Sequence, residues 1–115
     1  MSQTINKSNA DIVNNINKAL QLQSLGKIAD WRDKVYFDGV WEMFVYVDRT
    51  GRIGYFVSYY KNGGVRCTTI LPYIDFNGAV AFSNSASFNI KGVLQEKIIG
   101  ITNKFKKSLS RGELV

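Results

Sequence analysis

The chain has 115 residues, a formal net charge of +6, one cysteine and no histidine. A chain of that length can bury about two-thirds of its unfolded surface, so the whole sequence is read as one domain whose core needs no disulfide or metal staple. The lack of histidine excludes Ser-His-Asp and Cys-His nucleophilic sites, histidine metal centres and two-histidine ribonuclease chemistry.

Cys67 has no partner for an internal disulfide, which favours a reducing compartment. The first thirty residues contain no apolar core of a leader, and no stretch approaches the ~18 apolar residues of a membrane span. A cytoplasmic protein with no membrane partner is expected. The charge is uneven: before Lys91 nine Lys/Arg face seven Asp/Glu, a net of +2, and from Lys91 onward six face two, a net of +4. A basic excess favours polyanionic partners, nucleic acid first, although it also serves solubility.

In chain order, Ile12, Val13, Ile16, Ala19 and Leu20 fall on one face at helical spacing, with Ser8 and Asp11 as a capping-box-like start and Gly26 as the stop. The spacing predicts a helix over about 9 to 25. Residues 29 to 34 then read as a bridge, with a short turn of helix, into Val35-Tyr36-Phe37 and an Asp38-Gly39 turn. Period-two alternation follows, broken by Asp48-Arg49-Thr50-Gly51-Arg52, which suits a three-residue loop, and by the Asn62-Gly63 turn. Strands are expected over about 40 to 48, 52 to 60 and 65 to 71, closed by Pro72. Val80 to Ile90 reads as a further strand with one wet face. Leu94, Ile98, Ile101, Phe105 and Leu109 then form a stripe that predicts a helix over about 93 to 110. The fold class is α+β: one small domain with an N-terminal helix, an antiparallel four- to five-stranded meander and a C-terminal helix.

Loop-set register places Val47 against Ile53, Val45 against Tyr55 and Phe44 against Phe56. One face then carries Trp41, Met43, Val45, Val47, Ile53, Tyr55, Val57 and Tyr59. The other carries Glu42, Phe44, Tyr46, Phe56, Ser58 and Tyr60, continued by Val65, Cys67 and Thr69. The first is the better core face, and two narrow helices suffice to cover it. The second is either covered as well, by one helix on each side of the sheet or by the 72 to 79 loop, or is an aromatic platform of Phe44, Tyr46, Phe56 and Tyr60 for stacking bases or joining a second subunit; the narrowness of both helix stripes favours the platform. Arg49 and Arg52 flank one turn and Lys61 and Arg66 the next, so cations are expected to rim the rings. On a helical wheel Lys97, Lys104, Lys107 and Arg111 form a basic ridge beside the apolar stripe, which phosphates could follow.

No signature of catalysis, cofactor or metal binding is present: Cys67 reads as a small core or edge residue, and Asp30 and Asp33 as a solvated pair. Metal-free RNA cleavage by Lys, Arg and Tyr is the one catalytic class left, and its ingredients would occur in any basic aromatic domain. The expected function is therefore non-enzymatic: binding of single-stranded DNA or RNA, as a homodimer. The alternative is a small inhibitor or accessory module that docks on a nucleic-acid-handling protein, its aromatics acting as interface anchors.

Overall fold

Ser8 stops an extended N-terminal segment and starts the first helix: its hydroxyl accepts the Asp11 backbone N–H at 3.2 Å. A computed structural model describes residues 4–82 and 90–112. Helix α1 runs Asn9–Ser24 and ends where Gly26 takes a positive φ of 73°. Its buried side are Ile12, Ile16 and Ala19. Ahead of it, Ile5–Asn6 forms a short edge strand, β1.

Four longer strands follow: β2 Trp31–Phe37, β3 Trp41–Val47, β4 Ile53–Lys61 and β5 Gly64–Ile70. Among the described residues they make one antiparallel sheet with β1, in the order β1-β2-β3-β4-β5, so each strand pairs with its sequence neighbour. The expected register holds, with Val47 opposite Ile53, Val45 opposite Tyr55 and Phe44 opposite Phe56. The turn between β4 and β5 places Asn62 at φ 51° and Gly63 at φ 78°, the paired left-handed conformation that matches strand twist.

Three expectations are corrected. Residues 31 to 34 are not a bridge with a helical turn but the first half of β2. Alternation there is masked because both phases carry charge (Arg32 and Lys34 in one, Asp33 in the other), and because a bulge between Lys34 and Tyr36 turns both Val35 and Tyr36 into the core. The Val80 run does not join the meander: Val80–Phe82, β7, pairs with Pro72–Ile74, β6, as a separate hairpin, and its expected extension through residues 83 to 89 lies outside the described residues. The last helix, α2, spans Gly92–Lys104 and gives way to a single 3-10 turn, Lys106–Ser108.

Both helices lie on the same side of the large sheet. Ile12 and Ile16 of α1 and Leu94, Ile98 and Ile101 of α2 share one core with Val35, Tyr36, Met43, Val45, Val47, Ile53, Tyr55, Val57 and Ile70. Tyr55 is fully buried there, and its hydroxyl donates to Thr102 Oγ1 of α2 at 2.8 Å, while the Thr102 hydroxyl donates to the Ile98 carbonyl. The only polar atom that Tyr55 brings into the core is thus satisfied, as burial demands.

A second tie joins the β2–β3 turn to the start of α2. Asp38 accepts from Lys91 Nζ at 2.7 Å, from Tyr36 Oη at 3.0 Å and from the Val40 and Trp41 backbone N–H groups. Burial pushes the Asp38 carboxyl up, but the Lys91 ammonium and the backbone and phenol donors outweigh it and hold it well below the ordinary carboxylate value. Lys91 is in turn raised to about 12, chiefly by its bonds to Asp38 and Tyr36.

Two outcomes follow. Tyr55→Phe should cost about 1 kcal/mol in urea unfolding, the loss of one buried hydrogen bond without a cavity. Because the Asp38 carboxyl titrates lower folded than unfolded, its contribution is present above the unfolded value of 3.8 and lost as pH falls toward the depressed folded value. Asp38→Asn should therefore flatten the acid limb of a stability-versus-pH curve; an unchanged acid limb would count against the tie.

Candidate functional site

Period-two alternation sends the even-numbered residues of β3 and β4 away from both helices. Read across the sheet, the register places Arg32 beside Tyr46 and Tyr46 beside Gly54 in one row, and Lys34, Phe44, Phe56 and Thr69 in the next. A third row holds Phe37, Glu42, Ser58 and Cys67, and Tyr60 pairs with Val65 beyond it. The structure thus brings Phe44, Tyr46, Phe56 and Tyr60 onto one face, and among the described residues neither helix packs on them. Phe56 and Tyr60 are 37% and 38% exposed, enough for a partner to reach their rings.

The rings are organised by cations. Arg32 lies 5.5 Å and Lys34 5.4 Å from the Phe44 ring centre, and Lys34 is also 5.4 Å from that of Phe37. Tyr46 and Phe56 stack with centroids 4.7 Å apart at 30°, and Phe37 meets Tyr60 edge-on at 6.4 Å. Glu42 accepts from Lys34 at 2.9 Å and from the Tyr60 hydroxyl at 3.0 Å. The bond to Glu42 raises the Tyr60 phenol, and burial, followed by the Asp48 charge, raises that of Tyr46. Both hydroxyls therefore keep their protons at neutral pH, and that of Tyr60 donates to Glu42.

The expected cationic rim is only partly on this face. Arg52 has the phase of Gly54 and Phe56 and lies close enough to the Tyr46 phenol to oppose the effect of Asp48 on it. Arg49 sits at the exposed hairpin tip. Lys61 and Arg66, by contrast, have the phase of Tyr59, which pairs with Arg66, and so lie on the helix side of the sheet. There, with Trp41 and Tyr59, they line a cleft of about 910 Å³ that is bordered by Ile90, where the described residues resume.

The basic ridge does not form as one helical row. Lys97 is 8% exposed and donates to the Lys7 carbonyl at 2.6 Å, tying α2 to the β1 end of the sheet. Burial pushes its ammonium below the ordinary lysine value. Lys104 ends α2, Lys107 is in the 3-10 turn, and Arg111 lies beyond it over the Phe76 ring at 4.9 Å. The wheel failed because it extended the helix past Lys104, and because Lys97, beside the apolar stripe, is drawn under with Ile98 and Ile101 to reach the Lys7 carbonyl.

Cys67 is not a core residue but exposed, on the outer strand β5, with its sulfur 3.2 Å from the Ser58 hydroxyl. Asp33 pairs with Lys7 at 2.7 Å. Residues missed in the sequence are Arg32, Lys34 and Phe37, hidden with the strand that carries them, and Gly54. The available signal for Gly54 was a glycine inside an otherwise apolar strand, which marks a close approach by something else. No group of three or more potential metal ligands occurs among the described residues, and no described helix is long and apolar enough to cross a membrane.

Lys97→Gln should lower stability by about 1 to 3 kcal/mol, because it removes the donor to a partly buried carbonyl, while Lys104→Gln and Lys107→Gln should change it by less than about 0.5. On the two sides of the sheet the costs should differ: Ile98→Ala in α2, on the covered side, about 2 to 5 kcal/mol, and Phe56→Ala on the outer side no more than about 1. Equal losses in denaturant titrations of Ile98→Ala and Phe56→Ala would mean that the outer face is a second core. Comparison with known proteins finds no matching family model, no matching curated protein and no matching solved structure.

Proposed function

We propose that the open sheet face binds single-stranded nucleic acid, DNA or RNA, without chemical conversion. The observation that carries this reading is a five-ring face left bare by both helices, with Arg32, Lys34 and Arg52 set among or beside the rings. Rings offer stacking to unpaired bases of any sequence, and guanidinium and ammonium groups meet the phosphates between them. Duplex is a poor fit, because its bases are already stacked and paired. Lys104, Lys107 and Arg111 are exposed on the helix side and act through long-range attraction of a polyanion rather than by contact with the same bound strand. A cytoplasmic location belongs to this reading, since the exposed Cys67 thiol suits a reducing environment.

One observation favours a second reading. Glu42 stands in the middle strand of the sheet, between Lys34 and Tyr60. A carboxylate there opposes phosphate but is ordinary at a protein interface, where Phe56 and Tyr60 would be anchors. The occupant in that case is a second copy of the chain or a nucleic-acid-handling protein.

Titration of labelled single- and double-stranded oligonucleotides at several salt concentrations separates the readings. The single strand should bind more tightly, with log K falling against log salt at a slope near −2, as expected for about three phosphate contacts. Phe56→Ala and Tyr60→Ala should each lose about 1 to 3 kcal/mol of binding with little change in melting temperature. Indifference to strandedness, or no binding even at low salt, would overturn the proposal. A molecular mass that doubles with protein concentration would instead support the interface reading.

A further inference from the structure

We infer that the row formed by Arg32, Tyr46 and Gly54 is a stacking subsite for one unpaired nucleobase, and that Gly54 is the positioning residue that creates it. This inference rests on the nucleic-acid reading and adds to it a specific place and a cause. Gly54 is buried in the interior of β4, where glycine weakens a strand, and its φ is not positive, so no backbone conformation calls for it. What calls for it is space. A Cβ at Gly54 would overlap the Tyr46 ring at Cζ, Cε1 and Oη.

The hydroxyl end of the ring therefore lies over the backbone of β4 at Gly54, and the ring stacks on Phe56 at a centroid distance of 4.7 Å with the two planes 30° apart. A Cβ beneath it would push the tyrosine out of that stack. In that position the half-buried Tyr46 and the exposed Phe56 form one stacked aromatic pair, the kind of surface on which a base stacks. Arg32 is the register partner of Tyr46 on one side, and Arg52 lies two residues before Gly54 on the other, its charge felt at the Tyr46 phenol. A base resting on this pair beside Tyr46 thus has a guanidinium on each flank for the phosphates that precede and follow it. Phe44, in the adjacent row, is less suited, because Arg32 and Lys34 already engage its ring.

A ring that covers a glycine also shields the backbone beneath it, and if that were its whole role, Gly54→Ala would alter stability and leave binding alone. The test is a double-mutant cycle read by binding and by the fluorescence of a single 2-aminopurine in a short single-stranded oligonucleotide, which stacking quenches. Wild-type protein should quench the probe. Gly54→Ala should lose about tenfold in affinity and most of the quenching, with an unchanged salt slope and unchanged circular dichroism. Tyr46→Leu, which keeps Gly54 covered but removes the aromatic face, should do the same, and the double variant should be no worse than either alone. Full quenching by Gly54→Ala, full quenching by Tyr46→Leu, or losses that multiply in the double variant would each overturn the inference. Should Gly54→Ala not fold, Tyr46→Leu still decides it. Failure of the wild-type protein to bind the single strand at all is a different result, visible before any variant is made, and it overturns the functional reading itself.

Discussion

The sidedness of the large sheet governs everything else in this molecule. Neighbouring strands are about 4.8 Å apart, so five strands span about 19 Å, and two helices packed side by side about 10 Å apart cover that width once. Val35, Met43, Val45, Val47, Ile53, Tyr55 and Val57 offer the more aliphatic surface, and Ile12, Ile16, Leu94, Ile98 and Ile101 close on it. Each such side chain contributes about 1.5 to 3 kcal/mol on burial. Once that face has taken both helices, neither remains for the other. Phe56 and Tyr60 are left exposed, and Phe37, Phe44 and Tyr46 half-buried, because both described helices pack on the other face, not because of any weakness in their hydrophobicity.

The exposed face then has to be made tolerable in water, and the cations do this. Arg32 and Lys34 lie against Phe44, and Lys34 and Tyr60 both reach Glu42, so aromatic area is partly covered by groups that remain solvated at their tips. These same contacts hold the side chains in place. A partner would meet a surface whose rings and charges are largely pre-arranged, which lowers the ordering cost of binding.

Charge elsewhere serves the fold. Lys91 joins the β2–β3 turn to the start of α2 through Asp38, Lys7 pairs with Asp33 across the β1 edge, and Lys97 reaches the Lys7 carbonyl from α2. Three lysines of a basic chain are thus engaged in holding its ends to the sheet. Net charge alone is accordingly a poor guide to where a polyanion would lie; the phase of each cation in its strand or helix matters more. Arg66 and Arg52 illustrate the point, being similar in sequence setting and on opposite sides of the sheet.

Local sequence was enough for the first helix with its Ser8 and Gly26 boundaries, for β3, β4 and β5, and for the pairing of Phe44 with Phe56, because periodicity and turn chemistry are local and Gly51 and Asn62-Gly63 set the registers they connect. It also determined the two faces, since alternation follows from register. The aliphatic content of one face marked it in advance as the side the helices take, whereas long-range packing was needed to make Trp31 to Lys34 a strand despite its charges and to bury Lys97. Packing alone shows that a Cβ at position 54 would overlap the Tyr46 ring. These outcomes depend on contacts between segments distant in the chain, and on a bulge that reverses phase within β2, whereas a periodicity reads only the neighbours along one segment.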